Sequence, residues 1–216
     1  LHLSIRRQRQ MCIRDRYDPT DYWKEILQEY EILKQGHFIL RSGRHSEYYI
    51  EKAELYPNTH LTADLCFELA QMIVNFLPEV IEIVVGPAQG GIVLSQWTAY
   101  YLQEIYQRKV LALFTEKDSH GKHILQRGYK NKIKDKPILI VDDVITTGST
   151  LQEITAYLQN IGGKVLACAC LFKRRKTKID LKGIPLYYIT KIELSDWEPK
   201  DCPLCSQRIP ITPLDK

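Results

Sequence analysis

The chain has 216 residues, 44% of them hydrophobic, and a net charge of +4. That is enough apolar material for one ordinary domain with an appended subdomain, and too long and core-rich a chain to be a disulfide scaffold despite its six cysteines. No apolar run approaches the ~18 residues of a membrane span. The basic excess sits wholly in residues 1–16, where Arg6, Arg7, Arg9, Arg14 and Arg16 face only Asp15; the rest is balanced and argues against a nucleic-acid partner.

Residues 1–16 show neither a helical nor a strand period, and read as an RNA-binding arm, a disordered extension or a non-native one. No signal peptide is recognised, so reduced thiols and a cytoplasmic location are expected. From Asp18-Pro19-Thr20-Asp21 a helix is predicted, with an N-cap, a first-position proline and acid in the first turn. Tyr22, Ile26, Tyr30 and Leu33 carry its period and Gly36 can end it. Two extended runs around Ser42-Gly43-Arg44-His45 then predict a hairpin over residues 37–52. Residues 60–77 predict an amphipathic helix through Leu61, Leu65, Leu69, Met72, Ile73 and Phe76.

Val80 to Val85 reads as a buried strand that runs into Gly86-Pro87-Ala88-Gln89-Gly90-Gly91 and a helix over 92–107. A glycine-rich turn after a strand lets backbone amides face an anion. A third strand, Lys109 to Phe114, precedes a polar, glycine-containing stretch, 115–123, of the kind that forms a mobile lid. Residues 123–132 are expected to return as extended chain, with Arg127 a further candidate anion contact.

The densest pattern follows. Ile138 to Val141 is a continuous apolar run, as in a parallel strand buried on both faces. Asp142 and Asp143 come next, then Val144, Ile145, Thr146, Thr147, Gly148, Ser149 and Thr150, then a helical face of Leu151, Ile154, Leu158 and Ile161. Unpaired N–H groups at a helix start, a glycine and several hydroxyls suit a phosphate monoester. Two carboxylates beside it suit ribose hydroxyls or a divalent cation that accompanies the ligand.

Lys164 to Phe172 is another buried strand, with Cys168 and Cys170 facing one side and packing there. It ends in Lys173-Arg174-Arg175-Lys176. Leu186 to Ile192 is the last strand. The tail holds Cys202-Pro203-Leu204-Cys205, which supplies two of the four ligands of a structural zinc. No second C-x-x-C and no H-x-x-x-H accompanies it, so no tight protein metal site is expected, and a redox-sensitive thiol pair stays open.

The stretch 141–150 resembles the phosphoribosyl-diphosphate (PRPP) signature of type I phosphoribosyltransferases. The run Gly36, Phe38, Leu40, Ser42, Gly43, Ser46, Tyr49 resembles the G-x-F-x-L-x-S-G-x-x-S-x-x-Y pattern of the orotate enzymes in that family. The turn 86–91 and the Cys202–Cys205 ending are similar to forms found in orotate phosphoribosyltransferases. The resemblance implies an α/β type I phosphoribosyltransferase fold, with a mainly parallel central sheet flanked by helices and a small N-terminal hood. Residues 17–210 would form one domain, with the hood at about 17–56 plus the C-terminal strand and tail and the core at about 60–192.

The activity implied is transfer of the 5-phosphoribosyl group from PRPP to orotate, a step of pyrimidine nucleotide synthesis. Asp142 and Asp143 would hold the ribose, and Val144, Ile145, Thr146, Thr147, Gly148, Ser149 and Thr150 the 5′-phosphate. Gly86, Pro87, Ala88, Gln89, Gly90, Gly91, Lys117 and His120 would take the pyrophosphate. Lys117, Asp142 and Asp143 would be the catalytic groups, and Arg41, Tyr49, Lys52, Thr146 and Arg174 would meet orotate. Mg²⁺ would arrive with PRPP near Asp142 and Asp143, and loop 115–123 would act in the partner's site of a homodimer. Lys173 departs from the usual pattern, which has Asp. Two other readings stay open: transfer to another base, and a non-catalytic regulator that binds PRPP.

Overall fold

The computed structural model describes residues 19–40, 42–174, 179–192 and 194–214. In chain order the elements are α1 (Pro19–Glu29), β1 (Leu33–Ile39), β2 (His45–Ile50), α2 (Lys52–Leu55), α3 (Thr59–Phe76), β3 (Ile83–Pro87), α4 (Gly90–Tyr106), β4 (Leu111–Lys117), β5 (His123–Ile124), β6 (Pro137–Ile145), α5 (Ser149–Asn160), β7 (Lys164–Lys173), β8 (Leu186–Lys191), β9 (Asp196–Trp197) and α6 (Pro203–Ser206). They divide into two compact units, residues 1–55 with 192–216, and residues 56–191. Among the described residues no helix is long and apolar enough to cross a membrane.

The first unit is a three-stranded antiparallel sheet in the order β1-β2-β9, with α1 packed on β1. The predicted helix stops sooner than its apolar period suggested. Glu31 takes a left-handed φ of 56°, and Ile32 and Leu33, both buried, enter the sheet, where Leu33 stands opposite Ile50. Strand pairing outweighs the local helical pattern here. At the turn, the Arg44 Nε donates to Asp196 Oδ1 at 2.6 Å and its Nη2 to the Asp196 carbonyl at 2.9 Å, tying β2 to β9.

The tail folds back onto the hairpin. Thr212 N–H donates to the His37 carbonyl at 2.7 Å, and His37 N–H donates to Thr212 Oγ1 at 3.1 Å. This return places Cys202 and Cys205 beside His37 and His45, with their ligand atoms all within 4.8 Å of one another. Read from the sequence, the tail offered only its two cysteines as candidate ligands; two histidines of the hairpin, more than 150 positions away in the chain, stand beside them.

The second unit holds a six-stranded sheet in the order β5-β4-β3-β6-β7-β8. All neighbours run parallel except β4 and β5. β6 is central, and Ile138 to Val141 are fully buried, as a strand covered on both faces must be. Ile138 and Ile140 pack with Leu151, Ile154 and Leu158 of α5. The alternate residues turn to the opposite face, where α4 packs on β3, β4 and β6, and α3 on α4. Cys168 and Cys170 are buried in the α5-side cluster, the packing role their alternation implied.

The expected extended return over 123–132 is only two residues long. β5 pairs with Glu116 and Lys117, after which Gly128 turns the chain into a short 3₁₀ helix, Tyr129–Lys132. Buried Leu125 and Ile133 anchor this segment in the α5-side core, which a continuous edge strand would not do.

Candidate active site

β6 continues through the acidic pair to Ile145, with Val144 opposite Phe172 and Ile145 opposite Lys173. Asp142 and Asp143 are therefore strand residues on opposite faces. Asp142 faces the α5 side and lines a cavity of about 150 Å³, together with Val144, Ile145, Thr146, Thr147, Gly148, Ser149, Thr150 and Leu151. Those are the positions the signature assigned to the 5′-phosphate.

Gly148 makes the corner. Its φ of 82° suits glycine, and a Cβ there would meet Ile179 Cγ2 at 2.3 Å. It opens α5 without capping it through a side chain of its own, and the helix starts at the cavity, which Ser149, Thr150 and Leu151 of its first turn line. Thr147 Oγ1 and Ser149 Oγ lie 3.2 Å apart and add hydroxyls to the same rim. Hydroxyls and a helix start can favour an anion; the one carboxylate among the cavity's lining residues, Asp142, is half-buried.

Asp143 is buried on the other face. Its Oδ2 accepts a short hydrogen bond from the Tyr56 hydroxyl, and its Oδ1 accepts from the Val144 N–H at 2.5 Å. Burial, and then the Asp143 charge, push the Tyr56 phenol up, so Tyr56 stays a proton donor to the carboxylate. Tyr56 was not legible in the sequence, since it belongs to no motif and meets Asp143 only through the fold. Gly90 completes this corner: a Cβ there would fall 1.9 Å from Tyr56 Oη and 2.8 Å from Asp143 Oδ2.

The turn 86–91 is held by close backbone packing. A Cβ on Gly86 would lie 2.0 Å from the Gly91 carbonyl oxygen. Not every amide of this turn is open to an anion, as the glycine pattern suggested. The Ala88 N–H donates to the Thr115 carbonyl at 2.8 Å, and the Ile92 N–H to the Gln89 carbonyl at 3.0 Å. Gln89, Gly90 and Gly91 are the part that leads into α4.

The stretch 115–123 forms a hairpin. The Asp118 N–H donates to the Lys122 carbonyl at 2.9 Å, and Asp118 Oδ1 accepts from the His120 and Lys122 N–H groups at 2.8 and 2.9 Å. The Lys122 N–H, and after it that of His120, holds the Asp118 carboxyl below its usual range. Lys117 and His120 are exposed. His123 is buried, with its N–H on Glu153 Oε1 at 2.8 Å and Nδ1 3.1 Å from Thr115 Oγ1, so it is an anchor and not a loop residue in water. Arg127 is committed to Glu116, with its Nη2 3.3 Å from Oε1, and lies over the Phe114 ring.

Arg174 follows β7, half-buried, with its N–H on the Ile145 carbonyl at 2.9 Å. Lys173, where an acid was expected, puts its ammonium 5.4 Å from the Tyr188 ring centre. In the first unit Tyr49 is half-buried against Phe38, ring centres 5.6 Å apart, and Lys52 is exposed at the start of α2. Arg41 lies outside the described residues.

Residues 53–207 match the family model described as a phosphoribosyl transferase domain. The chain is 37% identical over 187 residues to the orotate phosphoribosyltransferase of Thermotoga maritima, covering 87% of this chain and 94% of that protein. Its fold is similar to the crystal structure of orotate phosphoribosyltransferase from Francisella tularensis, with a TM-score of 0.57 at 24% identity over 79% of this chain and 85% of that one. It is also similar to the Mycobacterium tuberculosis orotate phosphoribosyltransferase in complex with inorganic phosphate, with a TM-score of 0.59 at 18% identity over 76% and 90% of the two chains. The family model over residues 53–207 and the identity to curated relatives over most of their length show that the chain belongs to the phosphoribosyltransferase family, with the orotate phosphoribosyltransferases.

Proposed function

We propose that this protein transfers the 5-phosphoribosyl group of PRPP to orotate, giving orotidine 5′-monophosphate and pyrophosphate. The observation that carries the reading is the cavity between Asp142 and the start of α5, lined by Thr146 to Thr150. It presents amides and hydroxyls to a phosphate monoester and one carboxylate to the sugar beside it.

Displacement at the anomeric carbon passes through an oxocarbenium-like state, as in glycoside chemistry. The chain needs little acid–base machinery for this. It must fix the sugar, tolerate positive charge on the ring and receive a departing polyanion. Asp142 faces the ribose and favours the developing cation. Asp143, pinned by Tyr56, adds negative potential from the other side of the strand. Exposed Lys117 and His120 are placed to meet the pyrophosphate when the hairpin closes on ligand. Thr146 and half-buried Arg174 take the base.

Mg²⁺ fits this site: Asp142 offers hard carboxylate oxygens on a polar rim, and the cation would neutralise the pyrophosphate. A homodimer with the 115–123 hairpin serving the partner's site is the working unit we favour. The aromatic face of α4, with Trp97, Tyr100 and Tyr101 in mutual contact and Tyr100 48% exposed, supports a contact between copies. The five described cysteines are free, in keeping with a reducing, cytoplasmic setting.

The test is a spectrophotometric assay of orotate loss, with PRPP and Mg²⁺ each omitted in turn, and with uracil and hypoxanthine offered in place of orotate. Loss of orotate that requires both additions is expected, and Asp142→Asn and Asp143→Asn should each lower kcat at least tenfold. Turnover of another base with none of orotate would replace the base assignment. Full activity in Asp142→Asn would remove the role given to the cavity.

A further inference from the structure

The first unit contains a cluster that the transferase chemistry does not use. His37 stands on β1, His45 opens β2, and Cys202 and Cys205 flank and enter α6. His37 Nε2 and His45 Nδ1 are 2.8 Å apart. Cys205 Sγ is 3.3 Å from His45 Nδ1 and 3.7 Å from His37 Nε2, and Cys202 Sγ is 3.7 Å from His37 Nε2. With zinc–sulfur bonds of about 2.3 Å and zinc–nitrogen bonds of about 2.0–2.1 Å, a tetrahedral site has edges of roughly 3.3–3.8 Å. The three sulfur–nitrogen separations of 3.3–3.7 Å match those edges, the two nitrogens at 2.8 Å would need to part slightly, and all four atoms lie within 4.8 Å of one another.

We propose that His37, His45, Cys202 and Cys205 form a structural zinc site that fastens the C-terminal tail to the hairpin. Two thiolates and two imidazoles are a borderline-soft donor set, which selects Zn²⁺ over Mg²⁺ or Ca²⁺. All four positions of the tetrahedron come from protein, so no open position remains for a catalytic water.

The surroundings are built for ligation. His37 Nδ1 donates to the Ile209 carbonyl at 2.7 Å. That bond fixes the proton on Nδ1 and leaves the Nε2 lone pair facing the cluster, the usual support for a metal-bound histidine. The tail that supplies this carbonyl is itself stitched to His37 through Thr212. His37, His45 and Cys202 are buried, and exposed Cys205 gives the metal its way in.

Binding one Zn²⁺ releases one proton from each thiol to solvent. The thiolates cancel the metal's charge, so the occupied site is neutral and buries without a charge penalty. A unit with a sheet this small has limited core, and a metal tie between its first and last segments compensates. The site lies wholly within the first unit and stands whether or not the proposed base specificity is right.

The full chain, purified without a polyhistidine tag, is analysed for metal by mass spectrometry and then titrated with a thiol-blocking mercurial in the presence of a zinc dye. Near-stoichiometric zinc, released in step with thiol blocking, is expected. Cobalt exchange should give the intense visible bands and the near-ultraviolet thiolate band of a tetrahedral cobalt–thiolate site. Cys202→Ser, Cys205→Ser and His45→Ala should each lose most of the zinc. If those variants fold poorly, the cobalt spectrum of the wild-type chain decides alone. Only trace metal with no cobalt–thiolate band would overturn the proposal. So would a Cys202–Cys205 disulfide in chain purified under reducing conditions, or zinc retained in Cys202→Ser/Cys205→Ser.

Discussion

At the residue scale, the two neighbouring aspartates have different surroundings because a strand sends adjacent side chains to opposite faces. Asp142 lines the cavity at the start of α5, whereas Asp143 is buried under Tyr56. Tyr56→Phe removes a donor from a buried carboxylate, so a stability loss of about 1–3 kcal/mol is expected by urea unfolding. The PRPP kcat/KM should fall with it, while Tyr56 itself never needs to ionise. Gly148→Ala should act on binding instead. Its left-handed φ costs an alanine roughly 1–2 kcal/mol, and its methyl runs into Ile179. The KM for PRPP should rise several-fold, with kcat at saturation reduced less; an unchanged KM would detach this corner from phosphate binding. Sequence alone singled out Gly148 and both aspartates. It could not single out Tyr56, because that contact spans 87 positions and depends on where α3 begins.

At the scale of elements, the 115–123 hairpin is held to α5 by the His123 backbone N–H, which donates to Glu153 Oε1, while the buried His123 imidazole lies against Thr115 of β4. His123 has its pKa lowered from 6.5, chiefly by desolvation, with the opposing Glu153 charge weaker. A histidine kept neutral by the fold takes up its proton more readily when unfolded, so stability rises with pH through that window. The contribution is fully present above about pH 7 and declines as the pH falls through 6.5 toward the folded value. Urea midpoints for wild type and His123→Asn should therefore differ more at about pH 7.5 than at about pH 5.5. A gap that widened toward acid would mean the imidazole is charged in the fold. Most strands and helices of the second unit were legible in the sequence to within a few residues, because they carry a clean apolar period; β5 and the 3₁₀ turn after it were not, since that segment is set by Leu125 and Ile133 reaching the core. The end of α1 was not: its helical pattern runs straight into residues that the sheet claims, and only pairing with Ile50 decides between them.

At the scale of the whole molecule, the proposed trans action of the hairpin has a direct test. Lys117→Ala and Asp142→Asn should each be nearly inactive alone. Mixed under conditions that exchange subunits, they should regain activity, since a hybrid dimer has one site with both groups intact. No recovery from hybrids shown to form would place Lys117 in its own chain's site.

The strand–acid–hydroxyl–helix signature, the glycine corner and the orotate-type hairpin pattern were determined by the sequence itself, because each is a local arrangement set by neighbours within about ten positions. The different surroundings of Asp142 and Asp143, the commitment of the Ala88 amide to Thr115 and the meeting of two histidines with two distant cysteines were decided only by tertiary structure. The physical reason is the same in each case. A side chain's partner across a sheet, or across a chain return, depends on register and burial, and these exist only once the core has closed.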